Sequence, residues 1–364
     1  MNTGIFGGAF DPFHTEHRHI IECAAKELAL DRVVVVPSFL PPHKHCRISS
    51  FEDRVAMVKA GTEGLSYVVI DEIEKQRGQV NPTSVVLPLL KEKYPSDNFY
   101  FVMGGDSAVN FDSWINPEKI AATAILAVAD REGSGAMNEV IASLETRYGI
   151  KVRKLSYKGK QVSSSHIKAS FEVGLRTEDV SEKVAEVIER KGLYREFSSL
   201  VAALRNDISE KTFAHSVSTM LYAQNFTGLL KLKYEDVFLA ALLHDCDKAT
   251  TAVCEGVPQP VVHQFKGAEK AKEKYGIEDE RILDAIRYHT TGKKEMTTLG
   301  KLVFCADMLE PNRKFEGVGK LRSIISEDFE DGFVACVKAT YEHLLKQDKP
   351  IYPLTKECYL YYNK

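Results

Sequence analysis

The sequence lacks most of the features that commit a chain to export, a membrane or a metal ribbon. No stretch approaches the ~20 consecutive apolar residues that a bilayer span needs, and the first residues show no basic segment followed by a long apolar run. Neither export nor membrane insertion is expected. The seven cysteines (Cys23, Cys46, Cys246, Cys254, Cys305, Cys336, Cys358) are odd in number, scattered, and form no CxxC pair. That argues against a zinc ribbon or a disulfide framework and favours a reducing cytoplasm. A formal net charge of only −3 gives no global reason to bind nucleic acid or an anionic surface, so any polyanion site has to be local. Repeats, low-complexity tracts and a long Pro/Gly/Ser linker are also missing. What remains is an ordinary globular mix, 44 % hydrophobic and 27 % charged over 364 residues. That is enough for two cores of roughly 150 to 200 residues each.

The first half alternates short apolar strands with helices. Gly4 to Gly8 reads as a strand and turn, Thr15 to Leu28 as a helix, "RVVVVPS" as a buried strand and Phe51 to Gly61 as a helix. A strand at "SYVVID", a helix from Pro82 to Lys93 and strands at "NFYFVMG" and "ATAILAVAD" follow. This alternation predicts an α/β N-terminal domain, a doubly wound Rossmann-like parallel sheet whose ligand crevice lies at the strand C-termini. After about Tyr194, runs such as "VFLAALLHD", "RILDAIRYH" and "GKLVFCADMLE" have helical apolar spacing and predict an all-α C-terminal domain. The boundary falls near "YREFSSL", giving domains 1–195 and 196–364.

Four features of the first half point to phosphate chemistry. In "GGAFDPFHTEH", Gly7 and Gly8 allow close backbone approach, Phe10 belongs to the same loop, and His14 and His17 stand one helical turn apart. "VSSSHIK" places Ser164, Ser165 and Lys168 at a helix start, where free N–H groups favour an anion. "PPHK" puts Lys44 in a loop after a strand. "VMGGDSAVNFDSW" supplies Gly104, Asp106 and an aromatic, Trp114, able to stack on a base. Each feature alone has an ordinary reading as a cap, a surface loop or a core residue, but chance would seldom place all four in this order.

Together these stretches resemble the GG-x-F-D-P-x-H-x-G-H and I-S-S-T-x-I-R motifs of the nucleotidyltransferase superfamily. "VVVPSFLPPHK", "MGGDS" and the Trp are similar to the bacterial nicotinate-nucleotide adenylyltransferases, over residues 1–195. The resemblance implies joining of ATP to nicotinate mononucleotide, with magnesium, to give deamido-NAD and pyrophosphate without a covalent enzyme intermediate. It implies His14 and His17 on the α/β region of the triphosphate, Ser164, Ser165 and Lys168 on the departing phosphates, Lys44 nearby, and Asp106 and Trp114 toward the ribose and nicotinate. Three positions depart from the pattern: Glu16 replaces the Gly between the histidines, Lys168 replaces an Arg, and "DREG" at Asp130 to Gly133 replaces R-P-G. A Glu beside a triphosphate costs attraction unless it points outward, and Lys cannot form a bidentate fork.

In the second half, His215, His244, His263 and His289 occur in helical contexts, with Asp245 beside His244 and Asp307 further on. A His-Asp pair after an apolar helical run is a signal for divalent metal, and two ions can share one Asp. The order H…HD…H…H…D resembles that of the HD-domain phosphohydrolases. "HDCDK", "YHTTG", "ADMLEPNR" and "IYPLTKECYLYYN" are similar to their YqeK-like branch, the symmetrical diadenosine tetraphosphate hydrolases. This implies a dinuclear site, with iron as the metal, ligated by His215, His244, Asp245, His263, His289 and Asp307. Lys248 would contact phosphate, and so would Arg287 or Arg313; two ADP would be the products. The partners implied for the whole chain are ATP, nicotinate mononucleotide and diadenosine tetraphosphate, with no nucleic acid and no membrane, and a homo-oligomer is compatible. Readings in which the first half uses another acceptor or only senses nucleotide, or the second half cleaves another nucleotide, stay open.

Overall fold

The computed structural model describes residues 1–40, 48–78, 80–130, 135–157, 159–160, 162–347 and 351–363. The chain forms two compact units, Met1–Ile167 with Arg176–Leu193, and Lys168–Leu175 with Tyr194–Lys364. A short piece of the first half, Lys168–Leu175, counts with the second unit.

In the first unit six parallel strands, β1 (Asn2–Gly8), β2 (Arg32–Pro37), β3 (Val68–Ile70), β4 (Asn98–Gly104), β5 (Ile125–Ala129) and β6 (Val152–Leu155), lie in the order β3-β2-β1-β4-β5-β6. They alternate with α1 (Thr15–Glu27), α2 (Phe51–Gly61), α3 (Ile73–Arg77), α4 (Thr83–Lys93), α5 (Gly105–Val109), α6 (Pro117–Thr123) and α7 (Gly135–Tyr148); after β6 come α8 (Ser164–Glu172), whose residues from Lys168 on count with the second unit, and α9 (Glu182–Arg190). Val33 to Val36 are all buried, because a central parallel strand is covered on both faces and has no reason to alternate apolar with polar residues. The doubly wound sheet expected from the sequence is therefore present. Strand order reverses between β1 and β4, which opens a crevice beyond their C-terminal ends. β6 was not expected: only Val152 and Leu155 turn inward while Arg153 and Lys154 face outward, so this edge strand carries no apolar run.

The second unit is helical throughout its described residues, as expected. It holds α10 (Ser198–Asp207), α11 (Glu210–Gln224), α12 (Tyr234–Leu243), α13 (Gln259–Glu273), α14 (Glu280–Arg287), α15 (Thr298–Leu309), α16 (Val318–Glu327), α17 (Phe329–Lys346) and α18 (Pro353–Tyr362). Side-chain N-caps start several of them: Ser209 accepts from the Thr212 N–H, Asp279 from Arg281 and Thr297 from Gly300. α12 and α15 are buried on most sides, which is why "VFLAALL" and "LVFCA" read as nearly continuous apolar runs. Polar side chains at their ends are thereby carried into the core. No helix of the described residues is long and apolar enough to cross a membrane, and the six described cysteines are free thiols.

Candidate functional site

The loop leaving β1 is shaped by aromatic packing. Phe10 is 2 % exposed and has a positive φ of 50°. Its ring meets His17 edge-on at 5.1 Å and packs on Phe6 and Phe13. A Cβ on Gly8 would press against the Phe10 ring at 2.9 Å, so glycine is needed there for packing. Phe10, expected among the nucleotide-binding residues, is instead a wedge behind the loop that braces the His17 ring.

His14 precedes the first turn of α1 and its ring stacks on that of His17, centroids 3.5 Å apart at 18°. The backbone N–H of His14 donates to His17 Nδ1 at 3.1 Å. That bond implies the tautomer with its proton on Nε2, which makes Nε2 a donor suited to an anion. His14, His17, Gly7, Gly104, Asp106 and Trp114 share one crevice at the ends of β1, β4 and β5. Trp114 stands edge-on to Phe101 at 5.9 Å and is held at the wall.

Other expected residues lie elsewhere. Ser164 and Ser165 open α8 and are half-buried, while the hydroxyl oxygen of Ser163 accepts from the His166 N–H and acts as the cap. Lys168 is buried, counts with the second unit, and has its ammonium 5.4 Å from the Tyr194 ring centroid. Lys44, and Arg131 to Gly133 of the third departure, lie outside the described residues. Glu16 does not point outward: it is 5 % exposed on the crevice wall. Oε1 is 3.1 Å from His19 Nδ1, and Oε2 accepts from the Tyr157 hydroxyl. Tyr157 went unrecognised in the sequence, having no motif around it.

In the second unit all six expected ligands converge. His215 projects from α11, His244 and Asp245 follow α12, His263 lies in α13, His289 follows α14, and Asp307 lies in α15. Asp245 sits between two donor sets. Its Oδ1 is 3.3 Å from His263 Nε2 and 3.3 Å from His289 Nε2, and its Oδ2 is 3.5 Å from His244 Nε2 and 3.9 Å from His215 Nε2. Asp307 Oδ1 lies 2.8 Å from His215 Nε2 and 3.7 Å from His244 Nε2. His215, His244 and Asp307 on one side, and His244, Asp245 and His289 on the other, each bring three donor atoms close enough to share an ion. Such N/O donors suit divalent transition ions, and a carboxylate such as Asp245, with imidazoles at both of its oxygens, suits a pair of them.

The rings are held ready for this. His244 Nδ1–H donates to the Ala241 carbonyl at 2.7 Å and His289 Nδ1–H to the Ile286 carbonyl at 2.8 Å, which turns both Nε2 atoms inward. His215 Nδ1 is 3.3 Å from the buried Glu310 carboxylate, which also accepts from the Ser218 hydroxyl and the Asn312 N–H. Burial pushes His289 down to about 4, keeping the imidazole neutral as a ligand must be. Burial alone would raise the carboxyl groups of Asp245 and Asp307, but the surrounding imidazoles outweigh it and hold both well below the usual carboxylate range.

At the rim, Lys248 Nζ lies 3.1 Å from both Asp245 Oδ1 and His263 Nε2, and Arg313 contacts Asp307 and His215. Arg287 pairs with Glu280 instead, at 3.6 Å. Ser218 carried no sequence signal, while Glu310 and Thr290, whose hydroxyl is 3.1 Å from His263 Nε2, fall within "ADMLEPNR" and "YHTTG" but do not stand out there.

Comparison with known proteins agrees with this division. Residues 5–170 match a cytidylyltransferase-like family model and residues 212–312 an HD domain model. A Rubrobacter xylanophilus protein named "Probable nicotinate-nucleotide adenylyltransferase" is 32 % identical, over 54 % of this chain and 92 % of its own. The "Bis(5'-nucleosyl)-tetraphosphatase, symmetrical" of Halalkalibacterium halodurans is 34 % identical, over 42 % of this chain and 89 % of its own. A Mycoplasma genitalium protein named "Probable nicotinate-nucleotide adenylyltransferase/Ap4A hydrolase" is 24 % identical across 86 % of this chain and 88 % of its own. The chain belongs to the nicotinate-nucleotide adenylyltransferase family over its first half and to the symmetrical bis(5′-nucleosyl)-tetraphosphatase family of HD domains over its second.

Proposed function

We propose that this chain is a bifunctional cytoplasmic enzyme. Its first half transfers an adenylyl group from ATP to nicotinate mononucleotide, giving deamido-NAD and pyrophosphate, and its second half hydrolyses diadenosine tetraphosphate symmetrically to two ADP. The observation that carries the second activity is the position of Asp245 between two sets of imidazoles. The first is supported by the stacked His14 and His17 in the crevice where strand order reverses.

For adenylyl transfer, attack of the mononucleotide phosphate on the α-phosphorus of ATP needs positioning and charge stabilisation more than covalent chemistry. His17, with Nε2 as donor, and His14 beside it serve the α/β region, while the Ser164 and Ser165 end of α8 serves the departing phosphates. Asp106 and Trp114 serve the nucleoside side, and magnesium travels on the phosphates. Lys168 is left out of this assignment, since its ammonium lies against Tyr194.

For hydrolysis, His215, His244, Asp245, His263, His289 and Asp307 would hold a pair of divalent ions, iron by family likeness, which when bound activate water and polarise a phosphate. Lys248 and Arg313 neutralise phosphate charge at the rim, and Glu310 orients His215.

The test is a paired assay of wild type, His17→Ala and Asp245→Ala, measuring pyrophosphate from ATP plus nicotinate mononucleotide and ADP from diadenosine tetraphosphate. Each substitution is expected to abolish one activity and spare the other. Wild type that hydrolyses the tetraphosphate but releases no pyrophosphate would replace the first assignment with a nucleotide-sensing role.

A further inference from the structure

Glu16 is the departure that adenylyl transfer leaves unexplained. It is a buried carboxylate in the wall of a crevice assigned to a polyanion, between the two histidines that serve the phosphates. Both of its oxygens are engaged by the protein: His19 Nδ1 is 3.1 Å from Oε1, and the Tyr157 hydroxyl donates to Oε2. Its place in the first turn of α1 also sets the charge against the positive end of the helix dipole.

Tyr157 stands two residues beyond β6, is itself buried, and lines the crevice together with Val162 from the same segment. That segment leads into α8, which begins at Ser164. Glu16 therefore bonds the helix that carries one half of the phosphate site to the segment that delivers the other half. The fit is close: a Cβ on Gly159 would overlap both the Tyr157 hydroxyl and Glu16 Oε2. Glu16, Tyr157 and Gly159 are thus one constellation, in which a carboxylate is inserted, a hydroxyl receives it, and a missing side chain makes room.

We propose that the Glu16–Tyr157 pair is a latch that holds the Tyr157 wall of the crevice against α1 and thereby sets the affinity of the first unit for ATP. Both are positioning residues, and the proposal rests on the adenylyltransferase reading for the identity of the ligand. Its physical content is preorganisation: the wall is fixed before the nucleotide arrives, so less ordering is charged to binding.

Trp114 is the single tryptophan of the chain and lines the same crevice, so its fluorescence in the full-length protein reports ATP binding whether or not turnover follows. Tyr157→Phe and Glu16→Ala are each expected to weaken ATP binding by about fivefold to tenfold, the fold-change of one lost hydrogen bond, with KM rising more than kcat falls. The double variant should lose no more than either single one, because both remove the same bond. Glu16→Gln should recover most of the affinity, since an amide oxygen still accepts from the tyrosine. Gly159→Ala, which deletes neither partner but forces them apart, should reproduce the loss. Additive losses in the double variant, an unchanged affinity, or a loss confined to kcat would overturn the latch. Coupled losses in Trp114 titrations, together with a wild type that makes no deamido-NAD, would keep the latch and refute the adenylyltransferase reading.

Discussion

Glu310 Oε1 faces Nδ1 of His215 at 3.3 Å, a carboxylate set behind a ligand imidazole of the cluster. His244 and His289 rest instead on the neutral carbonyls of Ala241 and Ile286. A carboxylate behind an imidazole fixes its tautomer and makes the opposite nitrogen a stronger donor, so Glu310 acts on the metal through His215. Glu310→Gln keeps the shape and removes the charge. Affinity for a divalent probe such as manganese should fall by about 10-fold to 100-fold, with the helical circular dichroism unchanged. Chelator competition measures this directly, without any substrate.

Arg54 should be as consequential for the first unit as Glu310 is for the second. It is almost fully buried and donates to three backbone carbonyls, those of Ala9 at 2.8 Å, Ser49 at 3.1 Å and Phe39 at 3.1 Å. Ala9 belongs to the glycine loop ahead of the histidines. Arg54→Met leaves three carbonyls to find other donors, at a cost of about 3 kcal/mol or more. Urea unfolding should show a lower midpoint for the first unit, and KM for ATP should rise as the loop loses its tether.

These two residues mark what can be read from a sequence and what cannot. The ligand set was legible because imidazole and carboxylate are rare at apolar helical positions, so His244, Asp245 and His289 announce themselves by chemical type. β2 and β4 were legible because a strand covered on both faces is written as a continuous apolar run. Glu310 and Tyr157 were not legible, since each takes its meaning from a partner 95 and 141 residues away, respectively. β6 was missed for a related reason: its two outward-facing charges are those of an edge strand, and only pairing with β5 makes it one. Tyr194 beside Lys168 was not legible either, since Ser-Ser-x-x-Lys at a helix start reads as an anion site and nothing in that stretch points to a ring 26 residues on.

Glu74 gives the first unit a pH dependence near neutrality. Burial lifts its carboxyl from 4.5 to about 7, against the opposing pull of the Phe39 N–H that it accepts at 2.9 Å and of the nearby Arg54 charge. A carboxyl raised in the folded state favours folding when protonated. Its contribution is complete below the unfolded value of 4.5 and is lost as pH climbs through about 7. Glu74→Gln retains an oxygen for the Phe39 N–H and cannot ionise. Relative to this variant, wild type should lose stability between about pH 5 and about pH 8, read as a growing gap in melting temperature. A constant gap across that interval would mean that Glu74 does not titrate there.

The rim of the hydrolase site offers a comparison between two arginines close together in the sequence. Arg313 reaches Asp307 and His215 from beyond the end of α15, while Arg287 is turned to Glu280 on its own helix. A tetraphosphate bridging two nucleosides carries several negative charges, and a guanidinium at the cluster can meet one of them in fork geometry. Arg313→Gln should therefore lower kcat/KM for diadenosine tetraphosphate by about 10-fold or more, the scale of one charge-assisted hydrogen bond. It should also flatten the salt dependence of KM, since one exposed phosphate contact is gone. Arg287→Gln removes the same charge from the chain and should leave both quantities near wild type. Equal losses in the two variants would show that only the general field of the domain matters, and would take Arg313 out of the site.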